Sequence, residues 1–368
     1  MFKKLVFFCT LTLTIVGCTK QPKSFSISGE ITSEKNSYAV LSKIDNIYEN
    51  SQTIIDTLHI NKKGEFNAVY FLPSAIYNLK FQNKTIQLAL NNNQHLKITG
   101  KNTDNLKFKG SKDTQLLVDY EAFRIESLNR LVKSVRKQVA SLSKTEENAN
   151  KIIELRALEI ENYTKHINEL TEFVKEKMGT SIAVYPTSTR WKGENNLDFY
   201  KQLVSNFEDE HPTSEITQQL NNKVNILEKT TVGSTFSTID LPNNNGEIIS
   251  LANVKKTYTL IDFWASWCPP CRAESKLLNQ TYLTYKSKGF EIYGVSLDKN
   301  KERWLKALKK DNRVWPNVSN LKGFKTSIAK EYGITALPTN YLIDSSGKII
   351  AVDIHGKKLK QKIEELLN

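Results

Sequence analysis

The stretch FWASWCPPCRAE, residues 263–274, sets two thiols three positions apart, with two prolines between them and two tryptophans just ahead. At the start of a helix, residues at this spacing stand one turn apart, so Cys268 and Cys271 can close a disulfide across the first turn. Pro269 at the first helical position and Pro270 after it are tolerated, because first-turn amides have no acceptor within the helix. The free N–H groups that remain in the first turn beyond the prolines, and the partial positive charge of the helix start, favour thiolate over thiol at Cys268. The chemistry open to such a pair is nucleophilic attack on sulfur followed by reversible bridging. A metal role would need two more ligands. No second Cys-x-x-C and no nearby His pair accompanies the cysteines, and His59 and His95 stand alone.

The other cysteines do not compete for this role. Four occur in 368 residues, and two lie in the opening MFKKLVFFCTLTLTIVGC. Lys3 and Lys4, an apolar run from Leu5 to Val16 and a closing Gly17-Cys18 read as a signal peptide over residues 1–17. The run falls short of the roughly 20 apolar residues a spanning helix needs. Ile15-Val16-Gly17-Cys18 resembles the lipobox of bacterial lipoproteins. That resemblance implies a diacylglyceryl group on Cys18, a polar tether over 18–24 and a membrane-anchored chain facing the periplasm of a bacterial envelope. An ordinary secretory signal is the alternative. With Cys9 discarded and Cys18 given to lipid, only Cys268 and Cys271 remain, too few for a disulfide framework. The pair is there for reaction.

The elements that must position this pair fall into three parts. Residues 25–111 carry eight short runs rich in β-branched and aromatic residues, from FSISGEI to LKFKG, and predict a small sandwich-like β domain. NKKGEF reads as a hairpin connection in which Gly64 takes positive φ. Over residues 112–230 the period changes to three-four spacing: Ile125, Leu128, Val132, Val135, Val139 and Leu142, then Ile160, Tyr163, Ile167, Leu170 and Val174. Two amphipathic helices folded back on each other are expected, the second opened by a capping box of Ser143 and Glu146, with shorter helices on either side of His211-Pro212. From residue 231 to 368 strands and helices alternate. TYTLIDFWA runs into the cysteines, a helix follows from Pro269 to about Lys288, and FEIYGVSL, KERWLKALKK, TNYLID, IIAVDI and KLKQKIEELL complete a mixed sheet covered on both faces.

Formal charge is +13, with 52 basic against 39 acidic residues. The lysines scatter over helix faces, and no basic helix or aromatic RNA-binding motif appears, so the excess reads as a solvated surface and not as a nucleic-acid site.

LIDFWASWCPPC resembles the active-site segment of the thioredoxin superfamily. CPPCRAE, GFEIYGVSLD, YGITALPTNYLID and GKII, in this order, resemble its TlpA/ResA-like branch of exported thiol:disulfide oxidoreductases. The likeness covers roughly residues 232–368 and implies a thioredoxin fold there. It implies that Cys268 is the exposed attacking cysteine and Cys271 the buried resolving one. Pro338 matches the family's cis-proline, with the backbone of Leu337 beside it pairing with bound polypeptide, and Trp267 fits the apolar rim that meets substrate. Trp264 fits that rim or the core equally. Asp262 matches the buried aspartate of thioredoxin, and Glu274 matches a glutamate of the ResA-like branch; both are candidates for proton transfer with Cys271, and carrying both departs from either pattern. The implied partners are exported proteins bearing disulfides or thiols, together with a membrane thiol donor. No cofactor is implied beyond the Cys268–Cys271 disulfide itself. A reductase is the reading adopted. A thiol-dependent peroxidase of the same fold and a redox-sensing, ligand-binding lipoprotein are its alternatives.

Overall fold

The computed structural model describes residues 24–143 and 145–368, so the expected signal peptide, nearly all of the expected tether, and Cys18 lie outside the described residues. Eight strands form first: β1 (Phe25–Ile31), β2 (Ser37–Asn46), β3 (Ser51–Ile60), β4 (Glu65–Tyr70), β5 (Ala75–Lys80), β6 (Thr85–Leu90), β7 (His95–Gly100) and β8 (Leu106–Lys109). They build two four-stranded sheets in the orders β4-β1-β7-β8 and β3-β2-β5-β6. Alternate residues of both sheets, among them Phe25, Ile27, Leu41, Leu79, Leu88 and Leu96, share one buried core, as half-buried strands require. Gly64 takes φ 86° as expected, but the turn does not join partners in one sheet. β3 pairs with β2 and β4 with β1, so the chain crosses from one layer to the other at this point.

The helical segment grows directly from this sandwich. α1 (Lys112–Leu128) is capped by Ser111, whose Oγ accepts the Thr114 N–H at 3.0 Å and donates to the Ala89 carbonyl of β6 at 3.0 Å. A π-helical turn at 129–133 leads into α2 (Ser134–Ser141), and α3 (Glu146–Phe173) returns alongside. Val132, Val135, Ile167, Leu170 and Val174 are buried as the spacing predicts. Ile125 and Tyr163 are not: they are 48% and 38% exposed. Ile125 lies on the rim of a cleft against the β domain rather than beneath it. The expected capping box is absent too. Thr145 precedes α3 without a side-chain cap, while Ser143 accepts from Asn148 Nδ2 through both its carbonyl and its hydroxyl. With Thr145 at the cap, Glu146 stands at the first helical position and not the third, where a capping box needs it. α4 (Val184–Thr187), α5 (Leu197–Glu210) and α6 (Glu215–Lys229) then pack around Tyr185, Tyr200, Phe207 and Leu220.

The last part opens with the short hairpin β9 (Asp240–Pro242) and β10 (Ile248–Ser250), then α7 (Leu251–Val254), β11 (Tyr258–Trp264), α8 (Pro269–Tyr285), β12 (Phe290–Ser296), α9 (Lys301–Lys310) and β13 (Asn317–Val318). α10 (Ser327–Glu331), β14 (Thr339–Asp344), β15 (Ile349–Val352) and α11 (Gly356–Leu367) close the chain. The sheet order is β13-β12-β11-β14-β15, with β11, β12 and β13 parallel and β14 and β15 antiparallel to their neighbours. This is the thioredoxin fold anticipated from the sequence. β11 is central and buried on both faces. Ile261 and Phe263 join the layer under β9, β10 and α10, whereas Leu260 faces α8 and α11. The period of two therefore sends Asp262 and Trp264 toward the α8 side, where the cysteines are.

Candidate active site

α8 begins where β11 ends, and this junction builds the site. Cys268 is the cap residue of α8, with extended backbone (φ −92°, ψ 100°), and Pro269 and Pro270 fill the first two helical positions. The Cys271 N–H donates to Cys268 Sγ at 3.2 Å, and the two cysteines are joined in a disulfide with Cα atoms 5.4 Å apart. One of the unpaired N–H groups of the helix start is thus satisfied by the sulfur itself. Cys271 is buried as expected. Cys268 is not exposed in this bridged form: only 3% of it is accessible, in a cluster with Trp264, Ala265, Trp304 and Ala307. Its bond to the inner cysteine draws the sulfur against apolar side chains of β11 and α9.

The loop ahead of the cysteines is clamped from two sides. Asp298 accepts the Ser266 N–H at 2.9 Å and the Ser266 hydroxyl at 2.5 Å. Arg272 spans Asp311 and the Ser266 carbonyl, the latter at 3.1 Å. Trp267 is left 52% exposed beside Phe324, in the rim position expected of it, while Trp264 is wholly buried. Pro338 follows a cis bond from Leu337. The register of β14 against β11 pairs Thr339 with Phe263, which brings Leu337 and Pro338 to the same sheet end as the cysteines, and Leu337 packs against their apolar cluster.

The two carboxylates have different surroundings. Asp262 is 2% exposed and accepts from Arg313 Nη1 at 2.8 Å. Burial pushes its carboxyl up, Arg313 opposes this, and the charge of Glu274 adds to it, so that it protonates more readily than an ordinary aspartate. Arg313 escaped the sequence reading, yet it is the hinge of the site. It donates to Ser275 Oγ at 3.0 Å and to the Cys271 carbonyl at 3.1 Å, and its guanidinium carbon lies 3.8 Å from the centre of the Trp264 ring. The five donors of a guanidinium suit such a fully buried post. Each charge offsets part of the burial cost of the other, and Arg313 has two further acceptors besides Asp262.

Glu274 points instead toward the start of α11. Its Oε2 meets His355 Nδ1 at 3.0 Å, and its Oε1 accepts the Gly356 N–H at 2.9 Å. Burial alone would raise Glu274, but His355 and the Gly356 amide outweigh it and hold the carboxyl below its ordinary 4.5. Burial alone would depress His355, but Glu274, with Asp353 and Asp262 behind it, holds it protonated above its ordinary 6.5. His355 also escaped the sequence reading, having no neighbour in the chain that marks it as a partner.

This pair carries a pH signature. A lowered Glu274 stabilises the fold above its ordinary 4.5 and loses that contribution as acid protonates it; a raised His355 stabilises below its ordinary 6.5 and loses it as rising pH removes its proton. Both contributions are complete between those values. The stability gap between the unaltered protein and His355→Gln, measured as urea midpoints of the oxidised forms, will be widest there and will shrink as pH rises through the folded-state titration of His355. A gap that widens as pH rises above the ordinary histidine range contradicts the pairing.

Residues 232–352 match the AhpC/TSA family, and residues 25–117 match a domain of unknown function, DUF4369. A thiol-disulfide oxidoreductase ResA from Bacillus thuringiensis subsp. konkukian is 32% identical over 140 residues, which are 38% of this chain and 79% of that protein. The ResA of Bacillus subtilis strain 168 is 28% identical over 136 residues, 37% of this chain and 74% of that one. Among solved structures, a thiol-disulfide oxidoreductase from Bacteroides fragilis NCTC 9343 is 39% identical, matching 36% of this chain and all of its own length (100%) with a TM-score of 0.35. Through its carboxy-terminal third, the chain belongs to the ResA-like family of thiol-disulfide oxidoreductases.

Proposed function

We propose that this oxidoreductase works from a bacterial membrane, held by lipid on Cys18, and reduces disulfides of exported proteins through Cys268 and Cys271. The observation that carries the reading is the Cys271 N–H aimed at Cys268 Sγ within a closed Cys268–Cys271 bridge. Among the described residues no helix is long and apolar enough to cross a membrane.

In the reduced protein, Cys268 thiolate attacks one sulfur of a client disulfide. A Cys268–client bond forms, the client S–S bond breaks, and the client's second sulfur leaves as thiolate. Cys271 then loses its proton and attacks Cys268, releasing the first client sulfur and closing the bridge seen here. Two electrons pass from the protein dithiol to the client, and a dithiol donor on the membrane must return them. Trp267 and Leu337 frame the client segment, and Pro338 sets the turn beside it.

Asp262 is the proton acceptor for Cys271. Its carboxyl is raised by burial, and Arg313 ties it to the Cys271 carbonyl through one side chain. Glu274, held ionised by His355, acts through its charge.

Two outcomes are expected. Cys271→Ala will accumulate mixed disulfides with exported proteins that Cys268→Ala does not form; an absence of adducts, or adducts in both, contradicts the reading. Asp262→Asn will slow release of the client from Cys268 by about a hundredfold near neutral pH, and the defect will diminish as rising pH ionises Cys271 unaided. Glu274→Gln will have the smaller effect. Equal rates in Asp262→Asn and the unaltered protein at every pH exclude Asp262.

A further inference from the structure

A cleft of about 1210 Å³ opens beside Trp267. It exceeds the roughly 300–1,000 Å³ of ordinary small-molecule sites. One wall is the thioredoxin domain, from Trp267 and Leu297 to the Gly333–Thr335 loop. The other comes from α6 and from the connection between β2 and β3. That second wall is fixed: the Tyr185 hydroxyl accepts the Ile47 N–H at 2.8 Å, and Gln219 Nε2 donates to the Asp45 carbonyl at 2.8 Å. Glu49 and Lys330 bridge the walls at 2.6 Å.

The lining is basic, and its acids are already engaged. Of the two carboxylates, Glu49 is paired with Lys330, and Asp298 holds Ser266 and Ser296. Lys223, Lys299, Arg303 and Lys325 have no ion-pair partner among the described residues. Lys223 is the telling one. It is 5% exposed, no carboxylate pairs with it among the described residues, and its side chain lines the cleft. Its ammonium reaches from α6 across the cleft: a Cβ built on Gly333 would lie 3.7 Å from Lys223 Nζ. Gly333 begins the loop that runs to Leu337 and Pro338. A buried cation without a counter-charge is unfavourable, and burial together with the charge of Lys192 lowers Lys223 to about 8. An incoming carboxylate would relieve that strain on the charge.

We propose that this interdomain cleft docks an extended, acidic segment of a disulfide-bearing polypeptide, one carboxylate of which pairs with Lys223. The proposal rests on the exchange reading above and gives residues 25–230 a role in choosing clients: they supply the cation and one wall. Charge complementarity selects the occupant, because an acidic segment meets four unpaired cations and a basic one meets none of its counterparts.

Two synthetic peptides test it. Both carry the same internal disulfide and an amidated end, and they differ only in having two Glu or two Gln beside it. Mixed with the reduced full chain at physiological salt, the Glu peptide will be reduced about tenfold faster at limiting concentration. Lys223→Met will lose that preference while reducing the Gln peptide at the unaltered rate. Lys223→Arg, which keeps the charge, and Lys229→Met, on the exposed side of α6, will retain the preference. No preference in the unaltered protein, or a preference that survives Lys223→Met, overturns the cleft proposal. Failure to reduce either peptide overturns the exchange reading beneath it.

Discussion

Everything at this site hangs on a helix that starts with a sulfur in its cap. A cap side chain must accept an N–H that the helix cannot satisfy, and Ser, Thr, Asp or Asn usually does so. Here Cys268 takes the place, and the amide it accepts belongs to the cysteine it bonds. The arrangement works only if the chain enters α8 from a fixed direction. The buried β11, the prolines at the first two helical positions and the double clamp of Asp298 and Arg272 on Ser266 supply that direction. Rigid backbone on one side of the sulfur and open rim on the other, at Trp267, is what an exchange site requires.

Beneath the sulfur lies a second layer in which charges are kept in a medium that resists them. Arg313 serves Asp262, Ser275 and the Cys271 carbonyl at once, and His355 serves Glu274. The consequence is a division between two acids of the same type. Asp262, where burial prevails, is driven toward the proton-bearing form; Glu274, where the histidine and a helix-start amide prevail, stays charged. Environment assigns each its chemistry, and the identity of the side chain alone does not.

How much of this the sequence discloses follows from which interactions are local. β1, β6, β7 and β14 coincide with their sequence runs, and α9 with KERWLKALKK, because alternation or helical period and turn residues act within a few positions. The cysteine pair and its prolines are legible for the same reason. Arg313 is not: it sits in the loop after α9, 42 positions from the carbonyl it contacts, and nothing near it in the chain marks a guanidinium as buried. His355 and Lys223 are hidden in the same way, and the crossing of the chain between sheets at Gly64 depends on packing that no turn motif encodes. The partition into a β domain, a helical segment and a thioredoxin domain could be read, but the cleft their meeting creates could not.

The start of α8 stabilises the anion of Cys268. The direct measurement is the pH dependence of alkylation of Cys268 in a chain carrying Cys9→Ser, Cys18→Ser and Cys271→Ala, which keeps the donating amide and leaves a single thiol to titrate. An anion stabilised in this way titrates with a midpoint at least about one pH unit below that of free cysteine. A midpoint equal to that of free cysteine, or above it, would contradict that stabilisation.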